Sequence, residues 1–174
     1  AYDATLMAFR IAEDRRVYLP VMVNLDGFTL SHISQQLDES PVSDFIPPMI
    51  LDHAISTDAP MGYGCMTSSA DYFRIRYDIE RSMRDSVQVI RETEDAFASK
   101  FGRKYSWTED YRCDDAQVLI LSMGTLGKEA EVAVDILRSE GIKAGSMRVR
   151  WIRPFPELDL RDRAVRIAYD GEVR

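Results

Sequence analysis

The stretch that decides the fold runs from residue 117 to residue 152. It opens with Gln117-Val118-Leu119-Ile120-Leu121-Ser122-Met123, turns at Gly124-Thr125-Leu126-Gly127, continues through Lys128 to Ser139, stops at Gly141 and resumes as Ala144 to Ile152. The first run is apolar and short, bounded by glycine, and reads as a strand. Lys128 to Ser139 carries apolar residues at helical spacing and ends before a glycine, the common left-handed helix stop. A second apolar run follows. Strand, glycine-containing turn, helix and strand imply two parallel strands joined by a crossover helix, so an α/β core is expected, with a parallel sheet. Beyond it, Pro154-Phe155-Pro156 ends the second strand, Asp159 to Arg163 can start a helix, and Val165 to Tyr169 reads as a third strand.

Upstream, Tyr2, Leu6, Phe9 and Ile11 give residues 1–15 a rough helical period, and Val17 to Val23 reads as a buried strand. That strand runs into Asn24-Leu25-Asp26-Gly27-Phe28, whose Asp-Gly pair signals a turn at the strand's C-terminal edge, where ligands bind in open α/β folds. Ser31 to Gln36 suggests a short helical turn. From Leu37 to Ser69 no period holds: Pro41, Pro47, Pro48 and Pro60, with Gly62 and Gly64, punctuate the chain. Connections this long are uncommon in compact domains and are usually functional or interdomain. Phe45, Ile46, Met49, Ile50, Leu51, Met61 and Tyr63 argue against a freely solvated linker and for an arm packed on its own or a partner's surface. Residues 71–101 form the clearest helix, with Asp71 as N-cap, Ile79, Met83, Val87, Ile90, Phe97 and Phe101 on one face and Gly102 as the stop. At 1.5 Å per residue it would be roughly 45 Å long, a length suited to bridging domains or subunits.

Composition bounds the function classes. The chain has 174 residues, 45% of them hydrophobic and 29% charged, with a formal charge of −7; this is the make-up of a folded protein of one domain or two small ones. Net acidity argues against nucleic acid as main partner, because phosphate-backbone binding needs clustered Lys and Arg. The charge is uneven: residues 1–69 hold three basic and nine acidic side chains, residues 148–174 seven basic and five acidic. The longest apolar stretch, Val17 to Leu25, is interrupted by Pro20 and Asn24 and falls far short of the ~20 residues of a membrane-spanning helix. No secretory leader pattern opens the chain. Cys65 and Cys113 are too few for an iron–sulfur cluster or a cysteine zinc site; a single disulfide and two reduced cytosolic thiols both fit, the thiols being the commoner case. The chain begins at Ala1 inside a helical pattern and stops at Arg174 just past an apolar run, so both ends look cut.

Three groups of residues are candidates for chemistry. The Ser122 to Gly127 turn resembles a phosphate-binding loop, but it lacks both GxGxxG and GxxxxGK[ST] and is more often a simple tight turn. Asp26, His32 and His53 are the acid–base candidates of the front half, with His32 six residues beyond Asp26 at a strand edge; a lone histidine is more often structural. Neither a GxSxG elbow nor a His near Cys65 is present. Arg148, Arg150 and Arg153 alternate with Val149, Trp151 and Ile152 and suit a structural or interface ion pair better than a ligand site.

Taken in order, several strings resemble one family, the alpha subunit of the 2-oxoacid:ferredoxin oxidoreductases, which include pyruvate synthase. They are Leu19-Pro20-Val21-Met22-Val23-Asn24-Leu25-Asp26-Gly27-Phe28 with Ser31-His32, the arm around Ile46-Pro47-Pro48, Arg76-Tyr77, Phe101-Gly102-Arg103-Lys104-Tyr105, Ser122-Met123-Gly124-Thr125, and Arg148 to Pro156. The resemblance implies that residues 1–36 are the C-terminal end of a thiamine-diphosphate pyrimidine-type domain, that 37–111 are an extended arm and long bridging helix, and that 112–174 are most of a transketolase C-terminal-like parallel α/β domain. It implies Asp26, Gly27, Phe28 and His32 as the edge of the thiamine site, no metal ligand in this chain, and no assignable catalytic residue, the family's activating glutamate being in a part absent here. The whole enzyme would use thiamine diphosphate with Mg, iron–sulfur clusters and coenzyme A, held mainly by other subunits or regions. Its partners would be the beta, gamma and delta subunits and ferredoxin, in the cytoplasm, and this chain alone would be inactive. Two other readings are a noncatalytic interaction module docking through residues 37–102, and a nucleotide-binding domain using the Gly124 turn.

Overall fold

The structure is a computed structural model that describes residues 1–37, 42–51, 54–64 and 66–172. It divides into two compact units: Ala1–Val23 with Glu39–Lys104, and Asn24–Asp38 with Tyr105–Arg174. The fold is mixed α/β.

The first unit is built on two helices, α1 (Tyr2–Ala12) and α2 (Ser69–Phe101). The α2 N-cap is Ser68, three residues earlier than the sequence reading placed it: its hydroxyl accepts from the Asp71 amide at 3.3 Å and donates to the Asp71 carboxylate at 2.6 Å. Asp71 therefore answers the cap from the first turn, a serine-and-acid arrangement that satisfies orphan amides as a capping box does. Gly102 ends the helix at φ 69°, a left-handed conformation that glycine adopts without strain. Only the C-terminal half of α2 is packed: Ser86, Val89, Ile90, Thr93, Glu94 and Phe97 are buried, at the three- and four-residue intervals of one helix face. Against them lie Leu6, Met7 and Ile11 of α1 with Val17 and Phe45. Phe45 meets Phe97 edge-on at 5.3 Å, and Arg10 spans the same ring while donating to the Phe45 carbonyl at 2.7 Å. Arg103 clamps Asp3 through two bonds of 2.7 and 2.9 Å, joining the end of α2 to the start of α1.

The expected strand at Val17 to Val23 does not form. Val17 and Tyr18 instead hydrogen-bond back to the Asp14 carbonyl, Tyr18 takes φ 42°, and Met22 lies open to solvent. An apolar run becomes a strand only when a neighbouring edge accepts its backbone, and the first unit has no strand among its described residues.

The second unit holds a three-stranded sheet in the order β1-β3-β2, from β1 (Thr108–Tyr111), β2 (Val118–Met123) and β3 (Ala144–Val149). Helix α3 (Leu126–Ser139) connects β2 to β3, which run parallel with Val118 opposite Ala144 and Met123 opposite Val149. This is the crossover read from the sequence. The sheet is not wholly parallel, however: β1 pairs antiparallel to β3, Thr108 opposite Val149. Thr108-Glu109-Asp110-Tyr111 has no apolar run and gave no strand signal; the edge of β3 and the ion pairs Arg148–Glu109 and Arg163–Asp110 hold it in place. β3 is the buried centre, with Ala144 and Met147 fully enclosed.

The third strand expected at Val165 to Tyr169 is a helix, α4 (Glu157–Glu172). Five residues of mixed polarity cannot separate strand from helix by period. The upstream signals decide: Pro156 precedes the helix, Glu157 and Asp159 occupy a first turn whose exposed amides favour negative charge, and the Leu160 amide donates to the Pro156 carbonyl at 3.0 Å.

Candidate functional site

Two of the three acid–base candidates of the front half, Asp26 and His32, fall in Asn24–Asp38, which belongs to the second unit. Asp26 is half-buried. Its Oδ2 accepts the Thr125 amide at 3.3 Å, at the N-terminus of α3. Thr125 makes no side-chain cap bond of its own, so a carboxylate 99 positions away in sequence serves as the cap, answering both an orphan amide and the positive helix end. Gly124 makes the turn at φ 61°. A Cβ there would stand 3.7 Å from Asp26 Oδ2, an ordinary contact, so backbone conformation rather than space calls for glycine.

This geometry revises the phosphate-loop reading of Ser122 to Gly127. An anion does sit at the start of α3, and it is the chain's own Asp26 carboxylate. Sequence reasoning singled out both features and did not connect them, because no local pattern links residues this far apart.

From Gly27 the chain forms a self-bonded turn. Ser31 Oγ donates to the Gly27 carbonyl at 2.6 Å, and His32 Nδ1 lies 2.9 Å from the Phe28 carbonyl. A carbonyl can only accept, so in this bond Nδ1 is the donor; the Ser31 hydroxyl lies 3.0 Å from the same nitrogen. The Phe28 and His32 rings stand 5.0 Å apart, tilted by 37°, and Phe28 is 78% exposed. The structure thus unites Gly27, Phe28 and His32 in one exposed turn and directs Asp26 away from it, toward α3. The helical turn expected at Ser31 to Gln36 is replaced by this earlier one. His53 and Cys65 lie outside the described residues.

Arg148 in β3 and Arg150 just beyond it make structural contacts. The Arg148 side chain crosses Gly127 in the first turn of α3, where an added Cβ would meet its Cγ at 2.9 Å, and the guanidinium pairs with Glu109. Arg150 stacks over the Tyr105 ring at 4.2 Å, and its amide donates to the Trp107 carbonyl at 3.0 Å. A different arginine, which sequence reading missed, organises the opposite end of the sheet. Arg138 donates to Asp115 at 2.6 Å, to the Arg112 carbonyl at 2.7 Å and to the Ala144 carbonyl at 2.6 Å. Its guanidinium holds the Asp115 carboxyl below the usual value, and Arg112, bonded at 2.7 Å, does the same for Asp135. Burial pushes the Cys113 thiol up, and its sulfur donates to the Ser146 carbonyl at 3.2 Å, so this cysteine is a packed core residue.

A cleft of about 560 Å³ in this unit is lined by Thr108, Glu109, Asp110, Asp159, Asp162 and Arg163 among others. Asp110 is already paired with Arg163 at 2.8 Å. Among the described residues no group of three His, Cys, Asp or Glu side chains is placed to hold a metal ion, and no helix is long and apolar enough to cross a membrane.

Comparison with known proteins bears on both units. Residues 1–95 match the family described as pyruvate flavodoxin/ferredoxin oxidoreductase, thiamine diphosphate-binding, and residues 116–169 match pyruvate:ferredoxin oxidoreductase core domain II. The chain is 36% identical over 171 residues to the pyruvate synthase subunit PorA of Methanothermobacter thermautotrophicus, covering 97% of this chain and 44% of that protein. It is 36% identical to PorA of Thermotoga maritima, covering 93% of this chain and 42% of the relative, and 36% identical to the ketoisovalerate oxidoreductase subunit VorA of Pyrococcus abyssi, covering 91% and 41%. The chain therefore spans less than half the length of these curated relatives. With more than half of its residues matched by the first of these domains and most of the remainder by the second, the chain belongs to the pyruvate flavodoxin/ferredoxin oxidoreductase family.

Proposed function

We propose that this chain is part of the alpha subunit of a thiamine-diphosphate-dependent 2-oxoacid:ferredoxin oxidoreductase, which converts a 2-oxoacid and coenzyme A reversibly to an acyl-CoA and passes electrons to ferredoxin. The observation that carries this reading is the ordered match of residues 1–95 and 116–169 to two domains of that family, with relatives named as pyruvate synthase and ketoisovalerate oxidoreductase subunits aligned over nearly the whole chain. In this reading residues 1–36 end a pyrimidine-type domain, 37–111 form the arm and long bridging helix, and 112–174 belong to a transketolase C-terminal-like domain.

Thiamine diphosphate would supply the stabilised carbanion that decarboxylation requires. The residues described here fit the rim of such a site better than its diphosphate end. The Gly27–His32 turn offers an exposed aromatic ring and an imidazole anchored through Nδ1, whereas Asp26 is committed to Thr125 and no metal-binding carboxylate cluster stands beside it among the described residues. Phe28 and His32 are thus the proposed edge contacts, with Gly27 and Asp26 shaping the turn that carries them. Two cysteines in the chain cannot hold an iron–sulfur cluster, so other subunits or regions would carry the clusters, the Mg ion and the coenzyme A site, in a cytoplasmic assembly that is active only when complete.

The test is to purify the native assembly through a tag on this chain and assay 2-oxoacid- and coenzyme A-dependent viologen reduction. Co-purification of iron–sulfur polypeptides with activity supports the reading. A stable, partner-free protein that reduces no viologen with pyruvate, branched-chain, aryl or dicarboxylic 2-oxoacids overturns it.

A further inference from the structure

Residues 24–37 are held to the second unit by very little. Asp26 is the one residue among them that is not exposed; Leu25, Phe28, Leu30 and Ile33 are all open to solvent. No buried apolar side chain anchors the segment, and buried contacts are what ordinarily give a stretch of chain local stability. The bonds of the Gly27–His32 turn run inward, from Ser31 Oγ to the Gly27 carbonyl and from His32 Nδ1 to the Phe28 carbonyl. They give the turn its shape but not its position. A Cβ built at Gly27 would meet nothing within 4 Å, so no other element stands against the start of the turn. Among the described residues, the one hydrogen bond that leaves the segment runs from the Thr125 amide to Asp26 Oδ2, at 3.3 Å.

The far end of that bond is firm. Thr125 opens α3, whose Gly127, Ala130 and Val134 are buried in the unit's core. A carboxylate there is held both by the amide and by the positive helix end. The near end sits beside the turn: consecutive Cα atoms are about 3.8 Å apart, so the Phe28 backbone stands within about 8 Å of the tethered residue.

We propose that Asp26 is the positioning residue of the Gly27–His32 turn: its carboxylate, tethered to the start of α3, holds the Phe28 and His32 rings where the edge of the cofactor meets them. The last clause rests on the thiamine reading above, and the tether itself does not. With the tether broken the turn samples many positions, and apparent cofactor affinity falls by the fraction of time spent in the binding one. An N-terminal cap is worth about 0.5–2 kcal/mol, which corresponds to a factor of roughly two to thirty. Asparagine at 26 keeps an acceptor oxygen and the side-chain length, so it keeps the tether. Proline at 125 breaks it from the other side, removing the amide donor at a φ of −68° that proline adopts without strain.

The experiment uses the native assembly isolated through a tag on this chain, with 4-fluorophenylalanine in place of Phe28. Asp26→Ala, Asp26→Asn, Thr125→Pro and the Asp26→Ala/Thr125→Pro pair are compared with the parent. Two quantities are read: the fluorine linewidth after thiamine diphosphate is removed, and the thiamine diphosphate concentration that half-restores 2-oxoacid-dependent viologen reduction. The line should narrow at least twofold in Asp26→Ala and in Thr125→Pro and stay parent-like in Asp26→Asn. The half-restoring concentration should rise about two- to thirtyfold in the same two variants, and the pair should be no worse than either alone, because both changes break one contact. A parent-like line in Asp26→Ala or Thr125→Pro protein with native circular dichroism overturns the tether, even if stability has dropped. Equal narrowing in Asp26→Asn, or additive effects in the pair, overturns it as well. A narrowed line rescued by Asp26→Asn, with no change in the thiamine diphosphate requirement, upholds the tether and overturns the placing of Phe28 and His32 at the cofactor's edge.

Discussion

Gly145 and Gly127 make a paired test of how the second unit is packed. Gly145 lies in β3, opposite Leu119 of β2, and neither glycine is held by a left-handed backbone. A methyl group at 145 would meet the Arg112 carbonyl oxygen at 2.9 Å, Ala116 Cβ at 3.0 Å and Cys113 Cα at 3.1 Å. Two of these atoms are backbone, and Arg138 pins that backbone through the Arg112 carbonyl. Overpacking of this kind costs about 1–3 kcal/mol, against roughly 0.5–1 kcal/mol recovered by replacing glycine in regular structure, so Gly145→Ala should destabilise by about 1.5 kcal/mol. At 127 the obstruction is the flexible stem of Arg148. Moving it forfeits the Glu109 ion pair, worth about 0–1 kcal/mol at a partly exposed site, while alanine gains about 1 kcal/mol over glycine inside a helix; Gly127→Ala should be close to neutral. Urea unfolding followed by tryptophan fluorescence measures the difference directly. The two tryptophans of the chain, Trp107 and Trp151, stand 5.9 Å apart in this unit and report on it alone. With m of about 1–3 kcal/mol/M, Gly145→Ala should lower the midpoint by roughly 0.5–1.5 M. The packing argument fails if Gly145→Ala falls within about 0.3 kcal/mol of the parent, or if Gly127→Ala costs as much.

Further expectations follow from individual contacts. Asp26→Ala should lose about 0.5–2 kcal/mol in the same unfolding assay by stripping the α3 N-terminus of its cap, and Asp26→Asn should recover most of it; equal loss in both would refute a capping role. Because Arg138 depresses the Asp115 carboxyl, that carboxylate contributes stability at pH values above the ordinary carboxylate range near 4, and the contribution fades as pH falls through the depressed folded value. Asp115→Asn should therefore be less stable than the parent at pH 7, with the gap closing as pH falls well below the ordinary carboxylate range; a gap that persists in acid contradicts the ion-pair account. In a Cys65→Ser background Cys113 should react with a thiol reagent at pH 8 at least tenfold more slowly in the native chain than in urea, since its thiol is buried and raised. Native labelling at the unfolded rate would show that the core around Ser146 opens freely.

How much of this was legible in advance depended on whether the deciding signal was local. The βαβ unit at 117–149 announced itself because its strands, glycines and helix period are neighbours in sequence, and α2 did so because a helix satisfies its own backbone. Val17 to Val23 and Val165 to Tyr169 misled for one reason: a short apolar run describes a surface to be covered, and whether it becomes strand, helix or bare chain depends on which edges surround it. β1 failed in the opposite sense, a strand made by ion pairs and the edge of β3 from four residues without an apolar pattern.

The sequence by itself determined the family, through ordered strings spread along the chain, and it determined the α/β class, because helix and strand periods and glycine stops act over a few residues. Only the tertiary structure decided that Asp26 caps α3, that Arg148 lies across Gly127, and that Gly27, Phe28 and His32 share one turn while the Asp26 carboxylate reaches Thr125. Those facts come from chain closure over tens of residues, where burial and the need to satisfy each buried amide choose among partners that no local pattern can rank.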